Sequence, residues 1–214
     1  MSRGRGKGAG RFLVLEGLDG SGTTTQAERL AQALRARGRE VRVTAEPSRG
    51  PVGQQARLVL SGRLRGGGGE ELDPSALALL FAADRLDHLQ AEILPALARG
   101  ADVVCDRYTL SSLAYQSITT GDMAWVAALN ARARPPDLTL FLEVSPRTAL
   151  ARRYAASAER EIFEVPAFQR KVARAYRLAL ARVEASGERV AVVDGEGTPE
   201  AVTAALLESI DGLR

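Results

Sequence analysis

Phe12-Leu13-Val14-Leu15-Glu16-Gly17-Leu18-Asp19-Gly20-Ser21-Gly22-Thr23-Thr24-Thr25-Gln26 runs from an apolar stretch through a glycine-rich turn into a periodic pattern without a break. Phe12 to Glu16 reads as a buried strand. From Thr24 to Arg37 the residues Ala27, Leu30, Ala31 and Leu34 recur at helical spacing, and Gly38 closes the pattern. A glycine loop between a strand and a helix is the setting of a phosphate-binding loop. Its backbone N–H groups converge on phosphate oxygens, and the helix N-terminus adds a favourable field. Gly17, Leu18, Asp19, Gly20, Ser21, Gly22, Thr23, Thr24 and Thr25 are therefore expected to hold a nucleoside triphosphate, with the Thr24 hydroxyl placed for magnesium. One position departs from the pattern: Thr23 stands where a lysine is usual, so a point charge on the transferring phosphate is missing. Losing one preorganised donor from a developing charge typically costs about 3 kcal/mol.

Four further runs read as strands buried on both faces: Val41 to Ala45, Asp102 to Asp106, Leu138 to Glu143 and Val190 to Asp194. Helical patterns separate them. One runs from Ser75 to Ala98, and two later ones open with a hydroxyl before a proline, at Ser145-Pro146 and Thr198-Pro199. The alternation predicts an α/β chain, a three-layer α/β/α arrangement on a five-stranded parallel sheet, with ligands at the carboxyl ends of the strands. Ser61 to Glu71 reads as a surface loop. Tyr154 to Val165 reads as a polar connection that forms a short lid, at about 154–165.

At 214 residues, a single domain over 11–214 is expected, preceded by a disordered basic tail at 1–10. Apolar residues make up 45% and charged residues 26%, with no apolar run of spanning length, so neither a membrane partner nor a secretory signal is expected. The lone Cys105 reads as a core residue in a cytoplasmic protein. The net charge of +3 is spread through helices without an aromatic-basic stripe, which argues against nucleic acid. Only Lys7 and Lys171 are lysines, so any phosphate clamp must be largely arginine.

The strand at 102–106 delivers Asp106 and Arg107 to the same carboxyl edge. Asp106 is a candidate for holding a metal ion through water, and Arg107 for gripping a phosphate in two-pronged fashion; the plainer alternative is a surface ion pair. Taken with this motif, EGLDGSGTTTQ at 16–26, FAADRLDH at 81–88 and DRYTLSSLAYQ at 106–116 make the chain resemble bacterial thymidylate kinases from about residue 11 onward. The resemblance implies a P-loop NTPase fold and transfer of the ATP γ-phosphoryl group to dTMP, giving dTDP and ADP in dTTP biosynthesis. It also implies magnesium and a homodimer through the long apolar helices. By the same likeness Phe81 stacks on thymine, Arg85 bonds its carbonyl edge and Arg107 binds the acceptor phosphate. Ser111 and Ser112 lie where the base edge is read, while Tyr115 and Gln116 crowd out a ribose 2'-hydroxyl. Asp19 and Glu46 would face the acceptor. Read without the likeness, Phe81 is a core residue and Arg85 a solvated one.

Three departures from the family pattern remove positive charge: Thr23, Ala45 between Thr44 and Glu46, and Glu161-Ile162-Phe163-Glu164 in the lid. Arg152, and after it Arg160, are the candidates to supply the missing charge in catalysis, with Asp106 and Arg107 beside them. A kinase-like protein that holds nucleotides with weak or no transfer is the alternative that Thr23 leaves open.

Overall fold

The computed structural model describes residues 10–156 and 166–213. Arg160, the Glu161–Glu164 segment, most of the expected lid and residues 1–9 of the expected tail lie outside them. Among the described residues, β1 (Phe12–Gly17) is the middle strand of an all-parallel, five-stranded sheet. The order is β2 (Val41–Ala45), β3 (Asp102–Asp106), β1, β4 (Leu138–Glu143), β5 (Val190–Asp194). The helices are α1 (Thr23–Ala36), α2 (Pro51–Leu60), α3 (Pro74–His88), α4 (Leu94–Ala98), α5 (Thr109–Thr120), α6 (Met123–Leu129), α7 (Pro146–Ala156), α8 (Pro166–Ala185) and α9 (Pro199–Asp211).

Alternation along β1 divides the core into layers. Leu13 and Leu15 pack with α1 and α9 on one face. Phe12 and Val14 point to the other face, toward α4 and Tyr108, beside a second cluster that α5 and α8 build around Phe141. Each fully buried large side chain of β1 contributes roughly 1.5–3 kcal/mol of transfer free energy. The fold is therefore the three-layer arrangement expected from the strand and helix alternation.

The local start signals act as the sequence suggests. The Thr198 hydroxyl accepts from the Ala201 N–H and the Ser145 hydroxyl from the Thr148 N–H, while Asp73 caps α3 by accepting from Ser75 and Ala76. Four expectations need correction. The edge strands β2 and β5 are only partly buried, with Val192 half exposed, because each has a neighbour on one side alone. The expected helix from Ser75 to Ala98 is interrupted by a π-turn, Leu89–Ile93. There the Leu94 N–H reaches back to the Leu89 carbonyl, and Pro95, which has no N–H, follows at once. Tyr154 to Ala156, expected in the lid, form the last turn of α7. Gly10, assigned to the tail, lies close against Ala101. No described helix is long and apolar enough to cross a membrane.

The start of the sheet is clamped by charge. Asp102 is fully buried and accepts from Arg11 and Arg39, each at 2.6 Å through Nη2, so one carboxylate ties the residues leading into β1 and β2 to the start of β3. Burial alone would raise its pKa, but the hydrogen bonds from Arg39 and Arg11 outweigh that and hold it down at about 2. A depressed carboxylate stabilises the fold above the unfolded-state value of about 3.9 and loses that contribution as pH falls toward the folded value. Asp102→Asn is expected to lower the unfolding free energy at pH 7 by about 2 to 4 kcal/mol in urea denaturation. It should also flatten the stability loss that the parent shows between about pH 4 and pH 2.

Candidate active site

Register brings the chemistry together. Leu15 of β1 and Ala45 of β2 both lie opposite Asp106 of β3, so the glycine loop, Glu46 and Asp106-Arg107 leave the sheet side by side. The Arg107 N–H donates to the Leu15 carbonyl at 2.9 Å and the Glu46 N–H to the Asp106 carbonyl at 3.0 Å. Arg107 has φ +71, a left-handed conformation that a non-glycine residue holds only when its surroundings fix it.

Glu16, at the end of β1, provides that fixing. Its fully buried carboxylate accepts from the N–H groups of Tyr108 and Ser111 at 2.8 and 3.0 Å, and from the Ser111 hydroxyl at 2.5 Å. Burial raises its pKa, with the Ser111 hydroxyl and the Arg107 charge countering in part. The Arg107 guanidinium is in turn held by the Gly17 carbonyl at 3.0 Å, the Ser111 and Tyr176 hydroxyls at 3.2 Å, and Asp19 at 2.5 Å. It lies over the Tyr115 ring, 5.6 Å from its centre. Burial disfavours its charge, but Asp19 first, with Tyr115, Tyr176 and Asp106 beside it, together outweigh that and raise the pKa well above the usual value.

Asp19, Glu46, Arg107, Tyr108, Ser111 and Tyr115 line one cleft of about 590 Å³, with Glu16, Asp106 and Tyr176 behind its wall. At one end the loop from Asp19 through Thr25 borders it, with Arg152, Arg153, Gly195 and Gly197 beyond; at the other are Phe81, Arg85, Ser112, Tyr115 and Gln116. The loop end is built from backbone. Gly22, at φ +96, is the N-cap of α1, and no side chain caps that helix, so its first N–H groups are left for a ligand. Behind it the Thr24 hydroxyl donates to Asp106 Oδ2 at 2.5 Å, while Asp106 Oδ1 is buried without a partner. A hydroxyl and a carboxylate with a free oxygen suit a small hard cation.

The other end is built from buried side-chain pairs. Arg85 is 2% exposed, where the plainer reading of the sequence had it solvated. Its guanidinium meets Glu46 Oε2 at 2.7 Å and the Ser112 hydroxyl at 3.1 Å, donates to Asn130 and stacks over Tyr108. Phe81 and Arg85 share one face of α3, as their spacing predicts, and both line the cleft. Ser111 and Ser112 part company: Ser112 touches Arg85, whereas Ser111 belongs to the Glu16–Arg107 cluster.

Some expected residues stand apart from the cleft wall. Leu18 turns into the core beside Tyr176 and Phe141, and Gly17 offers its carbonyl to Arg107 and Tyr176. Arg152 lines the cleft but donates to the carbonyls of Gly195 and Glu196. Other residues join the site with no role foreseen for them. Glu16 announces itself only as an acid ending an apolar strand. Arg57 of α2 lines the cleft and donates to the Pro47 carbonyl. Tyr176 and Gln169 reach the cluster from α8, whose apolar spacing shows a core face and nothing of a hydroxyl aimed at Arg107.

The loop glycines separate strain from collision. A methyl on Gly20, at φ +88, would sit 2.1 Å from the Ala149 carbonyl oxygen, whereas one on Gly22 meets nothing within 4 Å. Gly22→Ala is expected to cost about 1 kcal/mol of stability, from the left-handed backbone alone. Gly20→Ala is expected to cost about 3 kcal/mol because it also displaces α7, as chemical denaturation of the two proteins would measure.

A sequence profile described as thymidylate kinase matches residues 15–206. The chain is 42% identical over 212 residues to a thymidylate kinase of Gluconobacter oxydans, covering 95% of each. It is 40% identical over 214 residues to a thymidylate kinase of Ruegeria pomeroyi, again covering 95% of each. To a probable thymidylate kinase of Pyrococcus horikoshii it is 41% identical over 168 residues, covering 78% of this chain and 81% of the relative. The glycine loop, Arg107 at the β3 edge and the buried Arg85 meet in one cleft, and by these sequence matches the chain belongs to the thymidylate kinase family.

Proposed function

We infer that the protein transfers the γ-phosphoryl group of ATP to dTMP, giving dTDP and ADP. The observation that carries this is the single cleft joining an uncapped phosphate loop to a pocket of buried, paired side chains. ATP phosphates lie on the loop from Asp19 to Thr25, and dTMP lies between Phe81, Arg85 and Arg107. Phe81 offers a ring for the base, and Arg85, held by Glu46, directs its guanidinium to the base edge. Arg107 is already turned toward Asp19 and the loop, which suits the acceptor phosphate. Tyr115, buried behind Arg107, and Gln116 wall the sugar. Thr24 and Asp106 are the residues that would hold Mg²⁺, which neutralises charge on the phosphates when bound. Catalysis here consists of positioning and charge, so Arg107 and Arg152 act by electrostatics and no side chain is assigned a proton. No observation favours the competing reading of a nucleotide-holding module. The lone buried Cys105 suits a reducing cytoplasm.

A second copy of the chain is the partner that the outer face of α3 suits. Leu79, Ala83 and Leu86 recur there at helical spacing and are exposed, with Leu58 of α2 exposed on the neighbouring helix. Sedimentation is expected to give twice the chain mass of 22.8 kDa, and Leu79→Glu with Leu86→Glu to return the single mass. A monomeric parent would remove this reading.

In an assay of ADP release with ATP and Mg²⁺, turnover with dTMP is expected well above that with dUMP or dCMP. Measurable dTMP binding without turnover would overturn the assignment. Arg152 stands in for the lysine missing at Thr23 by releasing the Gly195 and Glu196 carbonyls when phosphates arrive. Arg152→Ala is therefore expected to lower kcat by roughly a hundredfold with little change in the KM for dTMP. Equal changes in both would remove it from that role, and the same measurement on Arg153→Ala tests its neighbour.

A further inference from the structure

We propose that His88 is a positioning residue for the acceptor base: through Glu46 it fixes the place of the Arg85 guanidinium. The proposal rests on the reading above that Arg85 meets the base.

His88 ends α3 three residues after Arg85, and both side chains are buried, 1% and 2% exposed. The two meet one carboxylate. Glu46 Oε2 pairs with Arg85 Nη2 at 2.7 Å, and Glu46 Oε1 lies 3.3 Å from His88 Nδ1. An ionised carboxylate only accepts, so Nδ1 carries the proton of that contact. The other ring nitrogen, Nε2, lies 2.8 Å from the hydroxyl of Thr44, which sits two residues before Glu46 on the same side of the chain. The imidazole thus spans from β2 to the carboxylate just beyond it and stops that carboxylate from turning. Glu92 stands 3.9 Å from Nε2 and is itself paired with Arg42 at 2.7 Å, which closes the outer end of the chain of contacts.

Glu46 needs such a holder. It lies past the end of β2, while the next turn is pinned separately by Asp84, which accepts from the Ser48 N–H and hydroxyl at 2.7 and 2.5 Å. With His88 removed, Oε1 is buried without a donor. The carboxylate then satisfies both oxygens on Arg85, drawing the guanidinium off Ser112 and Asn130 and away from the cleft. The loss falls on the acceptor, since the bonds of the Glu46, Arg85 and His88 side chains described above go to one another, Ser112, Asn130 and Thr44 and not to the phosphate loop.

The test compares His88→Ala, His88→Asn and His88→Gln for KM of dTMP, KM of ATP and kcat, with thermal melts to establish folding. Asparagine places an amide N–H near the Nδ1 position and glutamine places one near Nε2. His88→Ala is expected to raise the KM for dTMP roughly tenfold, with the KM for ATP unchanged; asparagine recovers most of the loss, and glutamine does not. If dTMP KM stays within roughly twofold of the parent, if both KM values rise together, or if asparagine and glutamine behave alike, the proposal is overturned. Should the alanine protein fail to fold, the asparagine and glutamine pair decides alone. Arg85→Ala separates the two assignments: an unchanged dTMP KM there sinks the base-reading role itself, whereas a raised KM beside an unaffected His88→Ala sinks only the role of His88.

Discussion

The site depends on β1 lying between β3 and β4 in a parallel sheet. Because β1 leads directly into the glycine loop and β3 directly into Arg107, their pairing puts a backbone anion site and a guanidinium at one edge. The junction is sealed by Glu16, a carboxylate taken wholly out of water. An isolated buried charge would be costly, and Glu16 avoids most of that cost by accepting two N–H groups at the start of α5 and the Ser111 hydroxyl. Its rigidity passes to Arg107, whose left-handed backbone is held on one side by Leu15 and whose side chain is held by Gly17, Tyr176 and Asp19.

The two ends of the cleft use different physics. The loop end presents N–H groups whose direction is set by backbone conformation, so it suits phosphate whatever base is attached. The far end presents a guanidinium already matched by a carboxylate, Arg85 by Glu46, and beside the loop Arg107 is matched in the same way by Asp19. Such pairing keeps the cations in place before a ligand arrives, which reduces the ordering cost at binding. It also makes selectivity sensitive to residues that touch no ligand, because moving a carboxylate moves its guanidinium.

The strand runs were legible because buried parallel strands are continuous apolar stretches, and the sheet has the boundaries those stretches suggest to within one residue. The half exposure of β2 and β5 was not, since strand order is a non-local property. Phe81 and Arg85 were legible as a pair because four residues on a helix share a face, but the burial of Arg85 was not: its partners Glu46, Ser112 and Asn130 come from three other segments. Helices α2, α5 and α6 escaped for a local reason. Helix α2 carries Gly53 in its first turn, and α5 buries small and polar residues on several faces, which blurs its period. Tyr176 shows the same limit, as a residue at a core position of α8 whose hydroxyl matters only once α8 lies on α5.

Thr23 bears on how such a site works. A loop lysine would be delivered by the same backbone that binds the phosphates, ready before the second substrate enters. Thr23 is 5% exposed and supplies no charge, so on the reading proposed above the charge arrives on arginine from α7, now bonded to the carbonyls of Gly195 and Glu196. Those carbonyls begin the turn into α9, whose Pro199 and Val202 border the loop end of the cleft. An arginine that must leave one set of acceptors for another makes the charge conditional on occupancy, and its planar fork replaces a point charge with two-pronged contact. The cost of ordering a long side chain then falls on the step that closes the site, which ties phosphoryl transfer to the exclusion of water.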